Sequence, residues 1–492
     1  MDITYALVAT LVTAIPALGA PVALPLASAP QADEAQEAAD KAAAALQEIE
    51  EAVEGATEAA SEETPRISDV YPAPETIEGL DLEDDTTAIG NGARRGTADS
   101  IQDAVLNGRS WINFRYRYEA AEVRGFPDRS WGSTLRGAFG HETLSYNGFR
   151  ALGEIEAIGH VFNPSMNDTT NGRPNRAPIP DPEDVEINQL YVAYDGLENL
   201  DARVGRQEIQ LGNQRFIGSD PWRQNNQSFD ALRFKYQLDE TLAFDYSYAF
   251  QVNRVLGSDS PFGNEDMQGH FLDVRKTQEG IGNFGAYAYL MDYDELVLLS
   301  SNTFGLRYDR TFEGVEASAN TDFWSETDWS IALEYAKQSD AGDNPADVDA
   351  DYLLIEGAAD YRGYRMFLAS ETLGGDGDPN SSFQTPLASL HWFNGFADQF
   401  QSTPDEGLND RRIGIETDVQ LSQVDFPIHL SATYHWFSSD AGSLTFGREL
   451  DLDVMANVND HFSAGLRYAD FNPSDVFRNA NRFMAWVSYR VF

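Results

Sequence analysis

The chain has 492 residues, no cysteine, and 80 acidic against 34 basic side chains, for a formal charge of −46. The missing cysteines exclude a disulfide framework and a thiolate zinc site. The acidic excess excludes a nucleic-acid partner, whose phosphates need Lys and Arg. Aromatics are plentiful, with 29 Phe, 21 Tyr and 8 Trp. After the N-terminus no apolar run approaches the ~20 residues of a spanning helix.

Residues 1–29 read as an atypical secretory signal peptide. An apolar run from Tyr5 to Leu18 precedes small-residue cleavage patterns at Ala17–Ala20 and Ala27–Ala29, yet no Lys or Arg comes before Lys41. Residues 30–99 form an acidic, Ala/Glu-rich extension and linker, in which Leu46, Ile49 and Val53 make one thin helical stripe. A short helix follows between Ser100 and Gly108, with Asp99 or Ser100 as its N-cap.

From Trp111 the hydrophobic period becomes two. Ile112, Phe114, Tyr116 and Tyr118 alternate with Asn113, Arg115, Arg117 and Glu119, so each set takes one face of a strand. The clearest case sets Leu242, Phe244, Tyr246, Tyr248 and Phe250 against Thr241, Ala243, Asp245, Ser247 and Ala249. Later, Leu450, Leu452 and Val454 oppose Glu449, Asp451 and Asp453. A soluble sandwich would hide such faces against a second layer. Here nearly every strand repeats the same one-sided pattern, which closure into a cylinder with the apolar face outward satisfies.

Connections alternate in length. Short ones fall near 144–148, 196–199, 238–240 and 277–282; long polar ones fall near 163–185, 211–226, 252–268 and 371–410. Outer-membrane barrels have short periplasmic turns, long outer loops and an even strand count. A first count gives nineteen strands, with the conflict at 311–328; taking Glu313 to Asp328 as one extended turn gives eighteen and puts both termini on the periplasmic side. The expected fold is all-β, a transmembrane antiparallel β-barrel over 100–492, in the outer membrane of a diderm bacterium. On that reading residues 30–99 are periplasmic, and the last strand, ending at Phe492, is the signal for the barrel-assembly machinery.

Three stretches carry a family resemblance. One runs through Gly205-Arg206-Gln207, Asn213 to Gly218, Trp222-Arg223-Gln224-Asn225 and Gln227 to Ala231. The others are Glu186 to Tyr194, and Ala388 to Asp410 with Trp392, Gly395-Phe396-Ala397-Asp398 and Thr403-Pro404. With Glu334 to Asp340, they lie in the order found in the alginate export family of outer-membrane barrels, which residues 100–492 resemble. The resemblance implies an eighteen-stranded, monomeric barrel with a polar, Arg-containing pore.

By alternation the lumen candidates are Arg115, Arg117, Arg136, Arg203, Arg233, Lys235, Arg307, Arg412 and Arg467. Their acidic counterparts are Glu154, Glu156, Asp245, Asp309, Glu416, Asp418, Glu449, Asp451 and Asp453. A bulge at Gly205 would add Arg206, and an inward fold of 211–226 would add Arg215 and Arg223. Guanidinium forks suit sugar carboxylates; equally, Arg and acid on neighbouring strands pair and stiffen a wall. The expected function is passive passage of anionic or neutral saccharides, or other small solutes, through this pore. The alternative is a plugged structural anchor whose N-terminal segment binds periplasmic or cell-wall partners. His429, Ser431 and His435 share a face, but a pore-facing one, which does not suit a lipase. The 7 His show no spaced ligand set, so no cofactor is expected. Asp376/Asp378 and Asp343/Asp347/Asp349 are weak Ca²⁺ candidates in outer loops.

Overall fold

The computed structural model describes residues 96–314, 323–474 and 476–491. The expected signal peptide, nearly all of the acidic extension and Phe492 lie outside the described residues. Ser100 caps the helix α1 (Ile101–Leu106), its hydroxyl accepting from the Asp103 backbone N–H at 3.0 Å.

Period-two patterning then yields strand after strand. They are β1 (Arg109–Val123), β2 (Ser130–Glu142), β3 (Phe149–His160), β4 (Asp184–Tyr194), β5 (Leu200–Gln207) and β6 (Ser228–Asp239). Next come β7 (Leu242–Asn253), β8 (Asn264–Gln278), β9 (Gly282–Tyr293), β10 (Ser301–Phe312), β11 (Asp328–Asp340) and β12 (Asp349–Tyr361). The last six are β13 (Tyr364–Leu373), β14 (Leu408–Gln420), β15 (Pro427–Ser438), β16 (Thr445–Asn457), β17 (Phe462–Pro473) and β18 (Ala480–Val491). Each pairs antiparallel with its sequence neighbours. β1 also pairs with β18, with Phe114 opposite Tyr489, so the sheet closes and leaves no edge.

The even count rests on the connection between β10 and β11. Its described part carries a short helix, α2 (Phe323–Glu326), and β10 pairs directly with β11, with Phe312 opposite Trp329. The apolar rows point out of the cylinder. Phe114 is 46%, Leu306 64% and Leu368 65% exposed, whereas the inward Arg117, Thr134 and Ser247 are at most 1% exposed. Apolar outside and polar inside is the solution for a barrel solvated by lipid.

The loop end is filled by the chain itself. Residues 208–227, joining β5 to β6, and 374–407, joining β13 to β14, turn inward: Trp222, Gln224, Phe383, Leu387 and Ala397 are at most 1% exposed. A bridge between Ile217 and Leu387 ties the two, and Gly218 donates its N–H to the Leu387 carbonyl at 2.8 Å. A third loop, 161–183, covers Ala121 with Met166, Ala177 and Ile179.

Candidate functional site

The inner wall has two unlike halves. On β1, β17 and β18 the inward side chains grip the loops. The Arg115 guanidinium donates to Gln224 at 3.0 Å, to the Pro221 carbonyl at 2.7 Å and to the Arg223 carbonyl. Arg117 pairs with Asp181 of the third loop and donates to the Trp222 carbonyl. Arg223 reaches Asp398 at 2.6 Å and Glu119 at 3.4 Å, and Arg482 holds the same two acids at 3.4 Å and 2.5 Å. The Arg467 guanidinium lies 4.4 Å from the Trp222 ring centre, 4.8 Å from Trp392, 4.0 Å from Phe396 and 5.5 Å from Trp486, while Asp453 accepts from it at 3.1 Å. Cations desolvated against aromatic faces gain more than exposed ones, so this box is a fastening.

The turn 394–398 is fastened from below. Asn394, Gly395 and Asp398 have φ of 58°, 89° and 55°. That curl aims the Phe396 N–H at Asp451 (3.1 Å) and the Ala397 N–H at Glu449 (2.7 Å). Only glycine fits at 395: a Cβ there would sit 2.6 Å from the Glu449 carboxyl. His391 stacks on Trp222 at 4.4 Å and bonds Asp398 at 2.8 Å. Burial pushes the His391 imidazole down to about 3, so it is neutral, while burial lifts the Asp220 carboxyl to about 7. Burial also works against ionised Asp398, but His391, Arg482 and Arg223 hold its carboxyl well below the usual range.

A second region of the wall, β8 to β14, borders open space below the point where Phe216 packs on Tyr287 and Tyr352 and Arg215 bonds Glu371. A cavity of about 670 Å³ runs from the turn end, at Thr277, Asn283 and Asp309, to the inward loops at Gln214, Phe216 and Trp392. Its inward-facing charges are four guanidiniums, Arg275, Arg307, Arg365 and Arg412, and seven carboxylates, Asp273, Asp309, Glu334, Glu356, Glu371, Glu416 and Asp451. The guanidiniums are balanced: Arg275 by Asp273 at 3.0 Å, Arg307 by Glu334 at 2.9 Å, Arg365 by Asp360 at 2.8 Å, and Arg412 by Glu356 at 3.3 Å and Glu371 at 3.5 Å. Tyr287 donates to Glu334 at 2.8 Å and Tyr352 to Glu371 at 2.9 Å. Gly305 leaves room for the Tyr287 ring to lie across the neighbouring strand, since a Cβ there would be 2.2 Å from it.

Among the residues expected to line a pore, Arg307, Arg412 and Glu416, with Asp309 and Asp451, reach the cavity. Arg115, Arg117, Arg215, Arg223 and Arg467 face inward but are sealed under the loops, at 1–5% exposure. Arg215 spans the two inward loops, bonding Glu371 at 2.6 Å and Asn394 at 2.9 Å. Arg136 pairs with Glu156 at 2.6 Å, Arg203 with Asp201 at 2.6 Å and Arg233 with Asp245 at 2.6 Å. Glu154 accepts from Trp111 and Asn188, at 2.5 Å and 2.7 Å. Lys235 and Asp245 border only a small recess. Asp418 accepts from His429 at 3.0 Å.

Arg206 is a correction. The register stays continuous through Gly205, so Arg206 lies opposite the outward Leu190 and pairs with the outward Asp230 at 2.7 Å. His435 bonds Asp410 at 2.9 Å and His429 bonds Asp418 at 3.0 Å, so each imidazole is held by a carboxylate. Among the described residues no group of three or more acids or histidines is placed to hold a metal ion. Asp376 instead caps its own turn, accepting from the Asp378 N–H at 2.9 Å, and Asp349 pairs with Lys337 at 2.6 Å. Arg275, Arg365, Glu356, Glu371 and the tyrosines were not anticipated in the lumen. The alternation of Asp273 and Arg275 with Leu272 and Val274 carries that signal.

The fold is that of known outer-membrane channels. OccAB2 of Acinetobacter baumannii superposes with a TM-score of 0.60 at 14% identity, covering 79% of this chain and 98% of its own. OccAB4 of the same organism gives 0.59 at 13% identity over 78% and 97%. Pseudomonas aeruginosa OpdK, solved with vanillate, gives 0.58 at 12% identity over 79% and 99%. Among curated proteins no sequence relative matches. The model of the family described as "Alginate export" matches residues 111–358, half of the chain, so the protein belongs to that family and is a porin-like β-barrel of the bacterial outer membrane.

Proposed function

We propose that the protein is a monomeric, passive channel that admits neutral saccharides and other small hydroxylated solutes in preference to polyanions. The observation that carries this reading is the lining of the cavity: seven inward-facing carboxylates to four inward-facing guanidiniums, interleaved with Tyr287, Trp392, Asn213, Gln214 and Asn283. Such a surface offers ring faces and donor–acceptor pairs to hydroxyl groups, and selectivity rests on the side chains at the narrowest point. A chain of sugar carboxylates would meet guanidiniums already held by acids, and further acids beside them. The vanillate in OpdK is a solute of the size that about 670 Å³ accommodates.

Planar-bilayer conductance with the purified full chain, together with liposome swelling, tests the reading. Neutral mono- and disaccharides should enter faster than uronate oligomers of equal length. Faster entry of the uronates would overturn the preference. Absence of any ion-permeable pore, even after deletion of 211–226, would overturn the channel itself.

A further inference from the structure

The outer wall at the loop end carries a second, separate feature. On β14, β15 and β16 the outward side chains Arg411, Trp436 and Arg448 lie in one row, Trp436 in register with both arginines. All three are exposed, Trp436 at 43%. One step toward the turn end, the outward row is Ile413, Tyr434 and Leu450, where the lipid-facing apolar band begins. The Tyr434 and Trp436 rings meet edge to face at 4.7 Å. Aromatic side chains at this height mark the boundary between acyl chains and headgroups.

These arginines differ from the other outward cations at that end. Arg206 is neutralised by Asp230 at 2.7 Å, and Lys337 by Asp349 at 2.6 Å. Neither Arg411 nor Arg448 has an ion pair or hydrogen bond from its side chain among the described residues. The nearest outward acid in register, Asp470, is held by Asn481. Two guanidiniums therefore stand two strands apart, roughly 10 Å by strand spacing, in a chain whose charge is −46. An arginine on a lipid-facing wall is tolerated near the interface, and its planar fork matches phosphate oxygens two at a time.

We propose that Arg411, Trp436 and Arg448 form an exterior site for the phosphate-bearing headgroup of an outer-leaflet lipid. The side chains stand on the loop side, hence at the outer leaflet. The unbalanced charge pair supplies the attraction, and the indole between them seats at the level of the glycosidic headgroup. The site is independent of the lumen and of what passes through it.

The test uses the full chain in detergent, with diphosphoryl lipid A as the probe and native mass spectrometry as the readout. The unaltered protein should retain lipid A, and Arg411→Gln with Arg448→Gln should weaken retention roughly thirtyfold, on the scale of one headgroup contact per arginine. Arg206→Gln should change nothing. Because both side chains stand on the outer wall, the double variant should keep its heat-modifiable gel shift and its conductance; each single variant provides the same comparison with a smaller change. Equal retention by the double variant would overturn the proposal. So would equal retention of dephosphorylated lipid A. A thermal shift from inorganic phosphate alone as large as that from lipid A would assign the site to free phosphate and overturn the lipid assignment.

Discussion

The two halves of the inner wall use the same alternation for opposite ends. On β1, β17 and β18 the inward arginines are dry and spent on loops: Arg115 on three groups of 208–227, Arg467 on an aromatic box. On β8 to β14 the inward arginines border open space and are balanced by acids on their own or nearby strands. A guanidinium in a barrel strand is thus neither a pore residue nor a brace by type. What decides is whether a loop has come down over it. The difference also explains how a barrel of eighteen strands keeps a narrow path: part of its wall, at β1, β17 and β18, is a socket for its own loops.

The sharpest way to break this contrast is at Trp222, which touches Arg117, Arg467, His391 and Trp486. Trp222→Ala should lower stability by about 3–5 kcal/mol, the range for emptying a large buried aromatic site. It should also raise conductance, because the loop clamp loosens toward the lumen. A denaturation midpoint and a conductance both unchanged would show that the covered half is not held as described.

A smaller effect follows from two loop groups with opposite pH dependence. His391 is held neutral, with a folded value of about 3 against 6.5 unperturbed, so its contribution is present above about pH 6.5 and lost as pH falls toward 3. Asp220 is held protonated up to about 7, so its contribution is present below the ordinary carboxylate value of 3.8 and lost as pH rises to about 7. Between pH 4 and 6.5 the two slopes oppose each other, so these two groups together leave little net pH dependence. His391→Phe, which keeps a ring against Trp222, should expose the Asp220 slope and lose stability as pH rises, by up to about 1.4 kcal/mol per unit. Asp220→Asn should show the reverse. Thermal midpoints at pH 4.5, 5.5 and 6.5 decide it; two variant profiles parallel to that of the unaltered protein would contradict the assignment.

The mildest change belongs to the open half. Arg412 is 17% exposed and balanced by Glu356, Glu371 and Asp410. Arg412→Ala should cost about 1–2 kcal/mol, since Glu371 keeps Arg215 and Tyr352 as partners, Asp410 keeps His435, and solvent reaches Glu356. It should also shift selectivity further toward cations, read as a reversal potential across a salt gradient. A shift toward anions would contradict the placement of the surrounding carboxylates.

Much of this was legible in the chain. The rows Phe244/Tyr246 and Asp245/Ser247 announce a two-faced strand, and reading Glu313 to Asp328 as one connection restores the even count. The loop 211–226, with Trp222 and Phe216 among Arg, Gln and Asn, carries the composition of a segment that folds inward. What the chain does not reveal is which wall that loop meets. Arg115 and Arg307 look alike in sequence, each alternating with apolar neighbours, yet one is sealed and the other borders the cavity. The separation is tertiary, set by contacts more than a hundred residues apart such as Arg115 with Gln224. Arg206 shows the opposite lesson: plain alternation was right there, because Gly205, despite a φ of 127°, keeps its register opposite Tyr191.

The division of the wall can be measured directly because the chain has no cysteine of its own. Single cysteines introduced at Thr277 and Ala332, on the open half, and at the inward Thr134 and Ser247, which are at most 1% exposed, would be exposed to a membrane-impermeant sulfonate thiol reagent while conductance is recorded. Modification at Thr277→Cys and Ala332→Cys should reduce the current, and Thr134→Cys and Ser247→Cys should remain unlabelled. Labelling and block at all four positions would show that solute runs along both halves and contradict the account.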